Sequence, residues 1–128
     1  MQSITNKNQT ILEIAAKGPG TFYSSGFENR YWKGVRFTGT CSVATEMTSL
    51  TVTLQEYDPS QDAYIDVTGA VFVAWEATGS KMLTIYPSLT AAVNAVVVNH
   101  LGRKFRFKYV IVGVGALVTF KLNAMYLR

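Results

Sequence analysis

Few residues in this chain of 128 are of the types that carry out chemistry. There is one cysteine, Cys41, and one histidine, His100. A thiol and an imidazole form a nucleophilic pair only when they touch, and nothing in the spacing of these two residues requires contact. Because free cysteines are among the most buried residues, we predict that Cys41 is a structural thiol. His100 lies in a polar stretch at residues 99–102, and we predict that it is exposed in a turn.

Three carboxylates, Asp58, Asp62 and Asp66, follow one another at a spacing of four residues. Calcium prefers carboxylate oxygens, but this spacing lacks the order of Asp and Gly residues that defines an EF-hand loop. A different calcium site across a hairpin, or a pair of glycosidase carboxylates, stays open as a minor alternative. The favoured interpretation is a solvated hairpin tip. We therefore expect no catalytic residue, no metal and no cofactor, and predict that the protein is not an enzyme.

Charge is segregated along the chain, although the formal net charge is only +4. Residues 40–76 hold six acids and no Lys or Arg, whereas residues 77–128 hold seven bases and no acid. Opposite charges on neighbouring strands would neutralise each other within the fold. Alternatively, the acidic edge of one subunit would meet the basic edge of the next, or a polyanion would balance the bases.

Apolar and polar residues alternate with a period of two in short runs, which is typical of half-buried strands. Turn signals recur about every ten residues, so the pattern predicts an all-β fold. We expect a single-domain antiparallel β-sandwich, jelly-roll-like, with about eight or nine strands. The strands are predicted at residues 10–15, 31–38, 49–57, 63–67, 70–75, 81–86, the second half of 88–100, 103–112 and 117–128.

The first ten residues read as a polar arm and residues 11–128 as the single sandwich domain. The arm, which includes Gln2, Ile4, Asn6 and Lys7, is expected to become ordered only against a neighbouring molecule. It lacks the apolar core of a secretory signal, and no run in the chain approaches the ~20 apolar residues that span a bilayer. We therefore expect no membrane partner.

Bases and aromatic residues alternate along residues 103–108 (RKFRFK). A nucleic-acid platform needs both kinds of side chain on one exposed face, so that bases stack beside neutralised phosphates. The period of a strand instead puts Phe105 and Phe107 opposite Arg106 and Lys108. The pattern thus favours a basic outer face over an aromatic inner face, and no direct contact with nucleic acid is expected.

Five segments occur in a suggestive order: LTVTLQ at 50–55, YDP at 57–59 followed by Tyr64, LTIYPSLTAA at 83–92, the basic strand at 103–112 and a last strand at 118–127. In this order they resemble small all-β proteins from the virion structural modules of tailed bacteriophages and prophages. The resemblance implies a virion protein on the capsid surface, made in the cytoplasm of the host bacterium.

Small proteins of that group often act as decoration or cement proteins, which bind the outer shell and bridge and stabilise subunits of the major capsid protein. The expected partners are that capsid protein and further copies of the chain, as a homo-oligomer or as lattice neighbours. On this hypothesis the cations would meet an acidic capsid face and the hairpin acids a neighbouring copy. The interface residues are then Arg103, Lys104, Arg106, Lys108, Asp58, Asp62 and Asp66.

Two alternatives stay open. The protein would fit equally well as a tail, baseplate or head–tail connector component, since these locations use the same compact β module. It would also fit a carbohydrate-binding module for host attachment if Trp32, Trp75 or some of the tyrosines were exposed to stack on sugar rings. We favour core or interface positions for these aromatic residues.

Overall fold

Strands form throughout the part of the chain that the structure describes. The computed structural model describes residues 8–29, 32–87, 91, 95–97 and 102–128. The predicted arm residues Gln2, Ile4, Asn6 and Lys7, together with His100, lie outside the described residues. Within those residues there is no helix long and apolar enough to cross a membrane. The ten strands found there are β1 (Asn8–Lys17), β2 (Gly20–Tyr23), β3 (Phe27–Glu28), β4 (Gly34–Thr45), β5 (Ser49–Asp58), β6 (Ala63–Val71), β7 (Gly79–Ile85), β8 (Val96–Val97), β9 (Lys104–Val112) and β10 (Leu117–Leu127).

The strands form two sheets that face each other. One sheet has the order β1-β10-β4-β7-β8, and the other has the order β2-β9-β5-β6, with β3 also paired to β9. The pairings are antiparallel except for the short contact between β7 and β8. The all-β sandwich predicted from the sequence is therefore confirmed, while its jelly-roll-like connectivity stays a prediction.

Alternation decides which side chains fill the space between the sheets. On β9 the inward residues Phe105 and Phe107 are fully buried, and so is Phe37 on β4 of the other sheet. The Phe37 ring meets the Phe107 ring edge to face, with 4.7 Å between centroids, so aromatic contacts join the two sheets. In the strands predicted at 49–57, 103–112 and 117–128, the alternation of the sequence assigns one set of apolar residues to the inner face. The structure confirms it, because all of these residues are buried: Leu50, Val52, Leu54, Tyr109, Ile111, Val118, Phe120, Leu122, Ala124 and Tyr126.

Several strand boundaries differ from the prediction for physical reasons. β1 begins at Asn8, inside the predicted arm, because Asn8 pairs with Met125 of β10. The strand predicted at 31–38 runs instead over Gly34–Thr45, since β4 is held on both sides by β10 and β7. The prediction of a separate strand at 70–75 is wrong, because β6 continues to Val71 and ends there. Trp75 joins the sheet only through an isolated bridge to Leu50.

Candidate functional site

Most of the predicted interface charges lie on the outer face of the sheet β2-β9-β5-β6. Because Phe105 and Phe107 point inward, Lys104, Arg106 and Lys108 point outward. Strand β5 lies between β9 and β6 and pairs Gln55 with Arg106 on one side and with Asp66 on the other. We call this surface the charged face and define it by Tyr23, Thr53, Gln55, Tyr57, Asp62, Tyr64, Asp66, Lys104, Arg106 and Lys108.

A chain of hydrogen bonds crosses the charged face from β9 to β6. The Arg106 Nε–H donates to Oε1 of Gln55 at 2.9 Å, and the Gln55 amide donates to Oδ1 of Asp66 at 2.8 Å. Gln55 is only 7% exposed, so both of its polar ends need these partners. A neutral side chain thus links the arginine to the carboxylate. Among the described residues, the cations of β9 and the acids of the hairpin form no ion pair with one another.

Arg106 is also held between two tyrosine rings. Its guanidinium carbon lies 4.2 Å from the ring centroid of Tyr23 and 4.1 Å from that of Tyr64. The Lys104 ammonium lies 4.7 Å from the ring centroid of Tyr57. Each such contact is worth about 0.5–1 kcal/mol at an exposed site. These contacts hold Lys104 and Arg106 in place before any partner binds.

The hairpin tip between β5 and β6 is an Asx-type turn. Oδ1 of Asp58 accepts the backbone N–H of Ser60 at 2.9 Å and the Ser60 hydroxyl at 2.6 Å, and Oδ2 accepts the Gln61 amide at 3.2 Å. These bonds favour the ionised carboxylate and lower the pKa of Asp58. Both oxygens of Asp58 are therefore engaged in its own turn, which makes it a structural residue of the hairpin rather than a free contact for a partner.

Tyr57 donates its phenol proton to Oδ1 of Asp62 at the edge of the same face. This hydrogen bond raises the pKa of Tyr57 above its ordinary value of 10.0, with further contributions from burial and from the charge of Asp62. Because the folded-state pKa is raised, the stabilisation is fully present below pH 10 and is lost as the pH rises through the higher folded-state pKa.

We expect Asp62→Asn to bring the pKa of Tyr57 back towards its ordinary value. Asparagine still accepts the hydrogen bond but carries no charge, and it tolerates the positive φ of 49° found at this position. Titration of the ring-carbon NMR signal of Tyr57 measures this shift, with Tyr57→Phe used to assign the signal. An unchanged pKa in Asp62→Asn would contradict the assigned bond.

Cys41 and the two tryptophans lie away from the charged face. Cys41 is 1% exposed, as predicted, and burial raises the pKa of its thiol. Trp75 is a core residue at 1% exposure, and Trp32 is half-buried against Tyr126, with 6.2 Å between ring centroids. No group of three His, Cys, Asp or Glu side chains in the described ranges is placed to hold a metal ion.

The charged face contains residues that the sequence pattern did not single out. On β9 alone, the predicted separation of bases from phenylalanines is confirmed. Neighbouring strands nevertheless bring Tyr23, Tyr57 and Tyr64 to the same side as the bases. For Tyr57 the sequence did carry a signal. It lies two residues after Gln55 in the same predicted strand, so alternation places both side chains on the same side of the sheet. Tyr23 had no such signal, because its short strand follows the turn residues at 18–20 directly.

Comparison with known proteins identifies no relative. No protein-family model, no curated protein and no solved structure matches the chain. The chemistry of the two outer faces of the sandwich is accordingly what supports a function.

The outer face of the other sheet has a different chemistry. It is rich in short hydroxyl and amide side chains, joined across strands by hydrogen bonds such as Thr10 to Asn123 at 3.2 Å and Thr40 to Ser80 at 2.9 Å. Two methionines project from it: Met82 is 57% exposed and Met125 is 36% exposed. We call this surface the hydroxyl face and define it by Thr10, Glu13, Arg36, Thr38, Thr40, Ser80, Met82, Lys121, Asn123 and Met125.

Proposed function

We propose that this protein is a non-enzymatic structural component of a phage virion, a decoration or cement protein that binds the outer shell and bridges and stabilises subunits of the major capsid protein. The observation that carries the proposal is the difference between the two outer faces of one small sandwich. One face presents ordered charges and tyrosines, and the other presents hydroxyls with exposed methionines. A protein that bridges its neighbours needs two separate contact surfaces, and these faces supply them.

The hydroxyl face is the proposed contact with the shell. Its short Thr and Ser side chains lose little conformational entropy when a partner covers them. The exposed methionines Met82 and Met125 are flexible and adapt to an irregular partner surface. The sheet that carries this face has β1 (Asn8–Lys17) as one of its edge strands.

Co-sedimentation with capsids of the phage that encodes the chain tests this function. We expect saturable binding to mature shells stripped of the protein, weaker binding to unexpanded procapsids, and a higher temperature of genome release from decorated particles. Absence of binding to both kinds of shell would refute the cement role. Binding to isolated tails instead would place the protein in the tail, baseplate or connector.

Substitutions on the hydroxyl face sharpen the test. We expect the double variant Met82→Glu/Met125→Glu to weaken binding to mature shells at least tenfold, or about 1.4 kcal/mol, because it replaces the two exposed apolar side chains of the face by charges that lose their water on binding. Val114→Glu is the control, since Val114 is 98% exposed in the turn between β9 and β10, outside both faces. Equal loss in the control, or none in the double variant, would exclude this face as the shell contact.

A carbohydrate-binding host-attachment module is the second candidate, because Tyr23 is 49% exposed on the charged face. Stacking on a sugar chain favours coplanar rings with free faces. The rings of Tyr57 and Tyr64 are inclined at 64°, and Arg106 lies against the ring of Tyr64. These contacts favour a protein partner, for which Tyr and Arg are the residue types that contribute most to binding. Binding of the protein to purified host glycans would reverse this preference.

A further inference from the structure

Charges of opposite sign form two parallel strips on the charged face. We call Lys104, Arg106 and Lys108 of β9 the cationic strip, and Asp62 and Asp66 at the β6 side the acidic strip. Strand β5, which contributes the neutral residues Thr53, Gln55 and Tyr57 to this face, separates them, so they lie about 10 Å apart, which is two strand spacings. A single partner that covers this face must therefore meet both strips. A uniformly acidic surface would be attracted by one strip and repelled by the other.

We propose that the partner of the charged face is a second copy of this chain, docked face to face about a two-fold axis that runs along β5. Two copies that meet through one face are related by a two-fold axis within the plane of contact. An axis across the strands would stack β9 on β9 and so place like charges together. An axis along β5 places β9 of each copy over β6 of the other. The charge layout selects the second arrangement, in which both contacts are attractive.

The strand register gives the contacts of this dimer. Arg106, Gln55 and Asp66 lie at one level across the three strands, so the arginine of each copy faces Asp66 of the other. Gln55 lies near the axis and faces its own counterpart. Lys104 lies near the level of Tyr57, whose hydroxyl holds Asp62, so each Lys104 faces the acidic end of the second copy. The symmetry makes each of these contacts twice.

The structure also indicates how strong the association is. The rings of Tyr23 and Tyr64 already order Arg106, which lowers the entropy lost on binding. The strand dimensions give a face of roughly 500 Å², below the ~800 Å² per partner of a standard stable interface. We therefore expect a weak, salt-sensitive dimer with Kd of about 10–1,000 µM. Such a contact becomes effective when many copies are held on one shell. The dimer is measured without shells, so its failure and that of shell binding are separate results.

Analytical ultracentrifugation of the wild-type protein is the first test. We expect a monomer–dimer equilibrium between about 1 µM and 1 mM at 50 mM salt, with Kd at least tenfold higher at 500 mM salt. A protein that stays monomeric at 1 mM and low salt would overturn the proposal. A dimer that is insensitive to salt would also overturn it, because the two strips would then not be what joins the copies. This test needs no variant.

Charge complementation between two variants is the decisive test. The acidic variant, Lys104→Glu/Arg106→Glu, reverses the two cations that face the acids of the other copy, and the basic variant, Asp62→Asn/Asp66→Lys, neutralises one of those acids and reverses the other. We expect each variant alone to be monomeric and their equimolar mixture to form a heterodimer. Self-association of the acidic variant, or no heterodimer from two folded variants, would refute the arrangement.

The matched control is Arg36→Glu/Lys121→Glu, which changes the net charge by the same amount as the acidic variant. Both of its residues are exposed on the hydroxyl face, away from the strips. We expect this variant to dimerise as the wild-type protein does, and its loss of dimerisation would attribute the effect to net charge alone and overturn the proposal. Circular dichroism and thermal melting of each variant establish that it is folded. If a variant does not fold, the salt dependence of dimerisation of the wild-type protein tests the proposal instead.

Discussion

Replacing Trp75 by alanine is expected to lower the free energy of unfolding by about 3–5 kcal/mol. The indole lies in the core at 1% exposure and packs against Phe72 and Phe120, with ring centroids 5.2 Å and 5.0 Å away. Gly39 of β4 leaves room for it, since a β-carbon on Gly39 would come within 2.8 Å of the indole. Alanine would leave a large cavity between the sheets, and the surrounding strands can close it only in part.

The indole N–H adds a polar contribution, because it donates to the backbone oxygen of Gly79 at 3.0 Å. Trp75→Phe keeps most of the apolar volume but leaves this carbonyl without its donor, so a smaller loss of about 1–3 kcal/mol is expected. Urea unfolding followed by far-UV circular dichroism measures both values. A change below about 1 kcal/mol in Trp75→Ala would mean that the indole is accessible, and would return Trp75 to the candidates for sugar stacking.

The sequence predicts best the strands whose own alternation of apolar and polar residues determines which face is buried. Alternation in β5, β9 and β10 is regular, and the buried faces of all three follow from it. The short strand β2 has only four residues, directly after a turn, and it exists because it pairs with β9. That pairing sets Phe22 opposite Tyr109, which lies far away along the chain. Local patterning carries no information about such a partner.

The charged face was predictable only in part for the same reason. Its individual charges and the hairpin joining β5 to β6 are local features that the sequence shows. The strand order that places β9 on the other side of β5 is not local, since Gln55 and Arg106 are 51 residues apart. Without that strand order, the sequence predicts that the cations and the acids contact two different partners. Their union on one face, with tyrosines between them, is a property of the tertiary fold.

Replacing Gly113 by alanine is the second change with a large expected effect. Gly113 follows β9 and has a φ of 144°, which an L-residue adopts only with strain. A β-carbon there would lie 2.3 Å from the carbonyl oxygen of Glu46 and 3.0 Å from the amide nitrogen of Thr48. Backbone atoms cannot swing aside as a side chain does. We expect the strain and the overpacking together to cost about 2–6 kcal/mol of the free energy of unfolding.

Gly115 provides the matched control within the same connection. Its φ is 74°, but a β-carbon would meet nothing within 4 Å, so Gly115→Ala carries only the backbone strain of about 1–2 kcal/mol. Urea unfolding of the two variants side by side separates strain from crowding. Equal destabilisation would show that contact with the neighbouring turn contributes nothing.

The contact matters because two connections between the sheets meet at this point. The turn at Glu46 leads from β4 to β5, and the turn at Gly113 leads from β9 to β10, so each passes from one sheet to the other. The N–H of Thr48 donates to the carbonyl oxygen of Val112 at 2.7 Å and joins the two turns. This bond lies next to the pair Ser49 and Val112, where the ladder between β5 and β9 begins, so the junction supports the end of the ladder that crosses the charged face. We therefore expect Gly113→Ala, in the fraction that stays folded, to weaken self-association more than Gly115→Ala does, because a displaced β9 moves the cationic strip away from the acids it faces.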